Sequence, residues 1–206
     1  MSIPAGAVHK AAYIISAITH PIFVPFWGFL LFNSFSIQIL SGNYLYIVLG
    51  VFFLTSIVLP SYFIMSLKRY GVVHSYEMHT LDERRWPLLG SSALLVANYY
   101  MMQRMQVPGF FQVYFLASAV AALAASAISI FYKISLHTLA MGFLFGIGIL
   151  LSRVSAADIR IFLVGIVLLA GITGTARYAL KAHTLTQIYL GFITGALVGV
   201  FFLLIL

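Results

Sequence analysis

The chain has 206 residues, of which 63% are hydrophobic and only 7% charged, and its mean hydropathy is +1.08. That balance lies far from the soluble globular range of about half apolar and a quarter charged, so composition points to an integral membrane protein. The net charge of +7 favours anionic partners such as lipid phosphate and membrane headgroups, and the basic residues form no soluble patch of the kind nucleic acid requires.

Seven hydrophobic segments follow in chain order, at about 12–36, 43–67, 87–103, 110–132, 136–152, 159–179 and 184–206. Runs of this length match the roughly 20 helical residues that cross a hydrocarbon core of about 30 Å. No ten-residue alternation of the kind a membrane barrel carries is present. The expected fold is therefore all-α: a polytopic transmembrane helix bundle of six to seven spans, with residues 1–206 as a single integral membrane domain. The first segment, which runs past His20 and Pro21 to Phe35, reads as a retained helix without a small-residue cleavage site. Short connections predict antiparallel neighbours.

Aromatic residues near the predicted ends, including Trp27, Tyr44, Tyr46, Trp86, Tyr99, Tyr100 and Tyr132, fit interfacial anchors. Gly191, Gly195 and Gly199 share one face of the last segment, and Gly142 with Gly146 repeats the pattern on the fifth. Small faces allow close helix approach, so these two segments should pack together in the bundle interior.

Counting crossings brings the polar residues together. The loop from Lys68 to Arg85 follows two spans, Lys133, Ser135 and His137 follow four, and Arg177, Lys181, His183 and Gln187 follow six. All three groups therefore emerge on one side. His9 and His20 fall outside them and read as structural.

This collected set of cations and imidazoles suits phosphate. Arginine gives planar bidentate hydrogen bonds and lysine a point charge, while one histidine can attack phosphorus and a second can protonate the leaving oxygen. The scarcity of carboxylates disfavours a metal centre, and no cofactor is expected.

The same spacings resemble the type 2 phosphatidic acid phosphatase family, whose motifs are Lys-x6-Arg-Pro, Pro-Ser-Gly-His and Ser-Arg-x5-His-x3-Asp. Here the third reads Ala176-Arg177, five residues, His183, three residues, Gln187, and the second reads Ile134-Ser135-Leu136-His137. The first is loosest, with Arg84-Arg85-Trp86-Pro87 and with His79 near the lysine position. The resemblance, over about Arg84 to Gly199, implies a metal-independent lipid phosphatase acting on a lipid phosphomonoester or pyrophosphate. His183 would be the nucleophile and His137 the acid for the leaving alcohol. Arg177, Ser135 and Arg85 would hold phosphate, with Arg84, Lys133 and Lys181 adding charge nearby.

Gln187 stands where the family has aspartate, so it can orient His183 but adds no negative charge. A catalytically impaired relative that binds phospholipid, or serves as a membrane partner, is the alternative. A transporter is weakened by the lack of paired helix interruptions. Of eleven basic residues, eight fall on the expected site side and Arg104, Arg153 and Arg160 on the other. Setting aside the site candidates leaves three against three, which fixes no orientation. The resemblance implies a bacterial inner membrane with the site facing away from the cytoplasm.

Overall fold

A computed structural model describes residues 5–36, 38–75, 78, 80–155 and 157–204. Its helices are α1 (Ala5–Ile18), α2 (Val24–Phe35), α3 (Gly42–Phe53), α4 (Leu59–Arg69), α5 (Leu81–Arg104), α6 (Gly109–Phe131), α7 (Leu136–Val154), α8 (Arg160–Ala179) and α9 (Leu185–Phe201). No strand occurs among the described residues. Among the described residues, four helical stretches are long and apolar enough to cross a membrane: Gly42–Arg69, Gly109–Phe131, Leu136–Val154 and Arg160–Ala179.

The first predicted segment is not one helix. It breaks into α1 and α2 across residues 19–23, because proline disfavours helical backbone at the residue before it and Pro21 follows His20. Pro25 then sits in the first turn of α2, where its missing N–H costs nothing. The break lies at one end of the bundle, since the His137 Nε2–H donates to the carbonyl of Ser16, at 3.1 Å. From there α2 descends until Phe35 meets Phe162 near the start of α8, with ring centroids 5.4 Å apart. Lys10, eight residues before the end of α1, therefore lies about 12 Å from that end rather than on it.

The second segment is continuous from Gly42 to Arg69 but passes through a π-helical turn at Leu54–Val58. Pro60 removes one N–H from the ladder just beyond it, and the hydroxyls of Thr55 and Ser56 bond to the carbonyls of Val51 and Phe52. Asn98 of α5 donates to Thr55 Oγ1 at 2.8 Å, tying the two helices by a buried polar contact. α5 itself begins six residues before the predicted start. Thr80 and Glu83 form a reciprocal capping box that satisfies two backbone donors and carries the helix through Arg84 and Arg85.

Two packing units hold the bundle. An aromatic core joins α2, α3, α6 and α7, with Phe29 against Phe115 at 5.0 Å and Phe32 stacked on Phe110 at 4.6 Å. The Tyr114 hydroxyl donates to the carbonyl of Pro25. The second unit is the seam of α7 and α9. A Cβ on Gly146 would stand 2.6 Å from the carbonyl oxygen of Ala196, and Cβ atoms on Gly142 and Gly195 would overlap the facing backbone. This is the close approach that the glycine spacing predicts, and it leaves α7 the most enclosed helix.

Alternation of direction brings the ends of α1, α4, α6 and α8 to the same face of the bundle as the starts of α5, α7 and α9. Cross-links between distant loops hold them there. Arg84 Nη1 donates to the carbonyl of Ile134 at 2.9 Å, and the Ser135 N–H donates to the carbonyl of Gln187 at 3.1 Å.

Candidate functional site

At that face, Arg84, Arg177, His137, His183 and His20 line one cavity of about 350 Å³. Below them its wall turns apolar, with Leu95, Ala121, Ala122, Leu139 and Phe143. The cavity is thus cationic and imidazole-rich at one end and mainly apolar along the rest, where the hydroxyls of Ser56 and Ser118 donate to the carbonyls of Phe52 and Tyr114.

His183 closes the turn between α8 and α9. The α8 helix ends in a Schellman motif, in which Lys181 N–H donates to the carbonyl of Tyr178 at 2.9 Å and Ala182 N–H to that of Arg177 at 3.1 Å. Lys181 takes the left-handed position usually filled by glycine, at φ +53°. The chain is thereby turned so that His183 is buried against the cavity while Lys181 stays exposed.

Thr184 then caps α9. The Oε1 of Gln187 accepts from His183 Nδ1 at 2.9 Å and from the Thr184 N–H at 3.3 Å. The second bond identifies that atom as the amide oxygen, so Nδ1 must carry the ring proton and Nε2 keeps a free lone pair. Burial, together with the positive charges of Arg84, Arg177 and Lys133, holds the His183 pKa down to about 4 against the opposing bond from Gln187. The imidazole is neutral at pH 7, the state a nucleophile requires.

His137 lies in the first turn of α7, buried, with its Nε2–H committed to the Ser16 carbonyl. Only Nδ1 remains to face a ligand. Arg177, buried in the last turn of α8, lines the cavity directly.

The two adjacent arginines of α5 part company. Arg84 is buried, with Nε on the carbonyl of Met78 at 3.0 Å and Nη1 on that of Ile134, and it reaches the cavity. Arg85, about 100° further round the helix, is exposed and pairs with Asp82 at 3.2 Å. The expected phosphate role thus belongs by position to Arg84 and not to Arg85.

Ser135 also departs from expectation. It is fully buried as the N-cap of α7, its Oγ accepting from the Thr138 N–H at 3.4 Å, and it is not part of the cavity wall. Lys133 and Lys181 border a separate outer cleft with Tyr178, Thr184 and Gln187. His183 is shared by both spaces. His79 and Glu77 lie outside the described residues.

The residue that sequence reasoning missed is His20. It lies in the break between α1 and α2, lines the cavity, and meets the His137 ring edge-on at 5.4 Å. The available signal was the His20-Pro21 pair inside a supposed span. Among the described residues, no three of His, Asp and Glu are grouped closely enough to hold a metal ion.

In comparisons with protein families, curated proteins and solved structures, the chain matches none.

Proposed function

We propose that the chain is a metal-independent lipid phosphatase of the type 2 phosphatidic acid phosphatase kind, embedded in the membrane. The observation that carries this reading is the single cavity joining a cationic, imidazole-lined end to an apolar interior, which is the shape of an anionic amphiphile. Arg177 and Arg84 would hold the phosphate, and the dipoles at the starts of α5, α7 and α9 add positive potential at the same face. The tail would lie among α2, α5, α6 and α7.

In the proposed step, the lone pair of His183 Nε2 forms an N–P bond as the P–O ester bond breaks. The bonding pair leaves on the alcohol oxygen, which takes a proton. Because His137 has given Nε2–H to Ser16, it would first take a proton onto Nδ1 from the lipid phosphate monoanion and pass it to the leaving oxygen. Water then attacks phosphorus and gives a proton to the vacated His137 Nδ1 as the N–P bond breaks and its pair returns to His183 Nε2; inorganic phosphate leaves carrying that proton. Gln187 fixes the reactive tautomer but supplies no charge to the developing imidazolium. In the serine-protease triad the matching amide replacement lowers turnover about 10⁴-fold, so a slow enzyme is expected.

For topology we propose six crossings, made by Gly42–Arg69 and α5 to α9, with α1 and α2 as a helical hairpin beside them. The site end faces away from the cytoplasm of a bacterial inner membrane.

Phosphate release from phosphatidic acid, a lysolipid phosphate and a polyprenyl pyrophosphate in detergent tests the reading. Release no greater than that of His183→Ala would sink it. Binding of the same lipids without turnover would then favour the second reading, a silent lipid-phosphate-binding protein, to which the uncharged Gln187 already points.

A further inference from the structure

One part of the cavity wall is built by the α1–α2 break, and it carries a third imidazole. His20 is half-buried there, and its Nδ1 accepts from the backbone N–H of Ile22 at 3.3 Å. An acceptor at Nδ1 means that the ring is neutral and its proton is on Nε2. Among the described residues no protein acceptor takes that Nε2–H. The ring stands edge-on to His137, whose own Nε2–H is occupied by Ser16. The two histidines are therefore held from the same short stretch of chain, one by the Ser16 carbonyl and the other by the turn that follows it.

A neutral N–H donor in the wall of a cavity otherwise headed by cations has a defined use. It can bond an anionic oxygen without adding charge or requiring a proton from solvent. We propose that His20 is a ligand-binding residue, donating through Nε2–H to a phosphoryl oxygen of the lipid phosphate on the side of His137. The α1–α2 hairpin is then part of the site, although it lies outside the three sequence motifs. The inference rests on the cavity being a lipid-phosphate site but does not require turnover.

The test uses the full chain with ¹⁵N-labelled histidine in maltoside micelles, titrated with dodecyl phosphate and, in a second arm, with inorganic phosphate. The expected result is a saturable shift of the His20 Nε2 signal, assigned by its loss in His20→Ala. That variant should bind dodecyl phosphate about tenfold or more weakly, as expected for losing a hydrogen bond to a charged group. His20→Gln, which keeps an N–H donor, should recover most of the affinity. A response to inorganic phosphate as strong as to dodecyl phosphate would show that the headgroup alone recruits His20, still in agreement with the proposal.

Wild-type binding with an unmoved His20 signal and unchanged affinity in His20→Ala would overturn the role of His20 while leaving the lipid-phosphate site standing. No binding by wild type would overturn both. If His20→Ala fails to fold, the wild-type shift, assigned with His20→Gln, decides. Saturable binding with the His20 shift but no phosphate release would remove the phosphatase reading and leave this one intact.

Discussion

Replacing Gln187 by glutamate should convert the weak partner of His183 into a charged one without moving it. Glutamate is the same length as glutamine, so its carboxylate can keep both the 2.9 Å bond to Nδ1–H and the 3.3 Å bond from the Thr184 N–H. It also suits the third position of a capping box and the positive end of α9. An opposite charge at this range raises a histidine pKa by about 1–3 units, which would lift His183 from about 4 to about 5–7. Each unit is about 1.4 kcal/mol of preference for the imidazolium. If the transition state shares that preference, phosphate release should rise about 10- to 10³-fold, within the 10⁴ ceiling set by the triad precedent. Partial protonation at pH 7 would cost only about a factor of two even at a pKa of 7. Aspartate, one methylene shorter, leaves its oxygens about 1.5 Å short and should gain less. The assays are an imidazole ¹⁵N titration and phosphate release from a lipid phosphate at pH 7. A His183 midpoint that does not rise would show that Gln187 is not its partner. A midpoint that rises with no gain in release would refute the claim that the missing charge limits the chemistry.

Other outcomes follow from the same geometry. His183 has a folded pKa below its unfolded value of about 6.5, so the unfolded chain binds more protons between the two, and stability should fall as pH drops from about 6.5 towards 4. The loss, at most about 3 kcal/mol and nearer 1–2 after solvent screening, should flatten in His183→Gln when unfolding in detergent is followed against pH. Lys181→Gly removes a left-handed lysine from the Schellman turn and should stabilise the fold by about 1 kcal/mol, read as a rise in Tm. Gly195→Ala drives a methyl into the backbone of α7 and should cost about 1–3 kcal/mol, whereas Gly165→Ala meets nothing within 4 Å and should gain about 0.5–1 kcal/mol of helix propensity. Because the sequence contains no cysteine, Lys181→Cys and Arg153→Cys give single thiols at opposite ends of the bundle. An impermeant maleimide added to intact cells should label only the first, and labelling only of the second would reverse the proposed orientation.

What could be read from the sequence was what depends on near neighbours. Hydropathy located the apolar stretches. The register of Arg177, His183 and Gln187 spans one turn and a helix start, so the bond between His183 and Gln187 follows from a separation of four residues. The glycine faces predicted the α7–α9 seam because a Cβ is excluded wherever backbones touch. Counting reversals of chain direction placed the polar loops at one end of the bundle because each reversal of an antiparallel chain is local. The break in the first segment leaves that count of reversals unchanged because α2 descends in place of the expected single helix.

The tertiary structure alone decided which groups enter the cavity. Arg84 and Arg85 are equivalent as neighbours in sequence, and only the rotation of α5 against the Ile134 loop selects one of them. Ser135 has the residue type of a phosphate ligand, but the start of α7 takes its hydroxyl for a cap. His20 had no motif to mark it, and it joins the site through a contact between chain segments that Ser16 and His137 hold together across 121 residues. Local spacing fixes which atoms can meet within a turn, but which distant side chains share a cavity depends on how whole helices rotate and pack, and no short stretch of sequence contains that information.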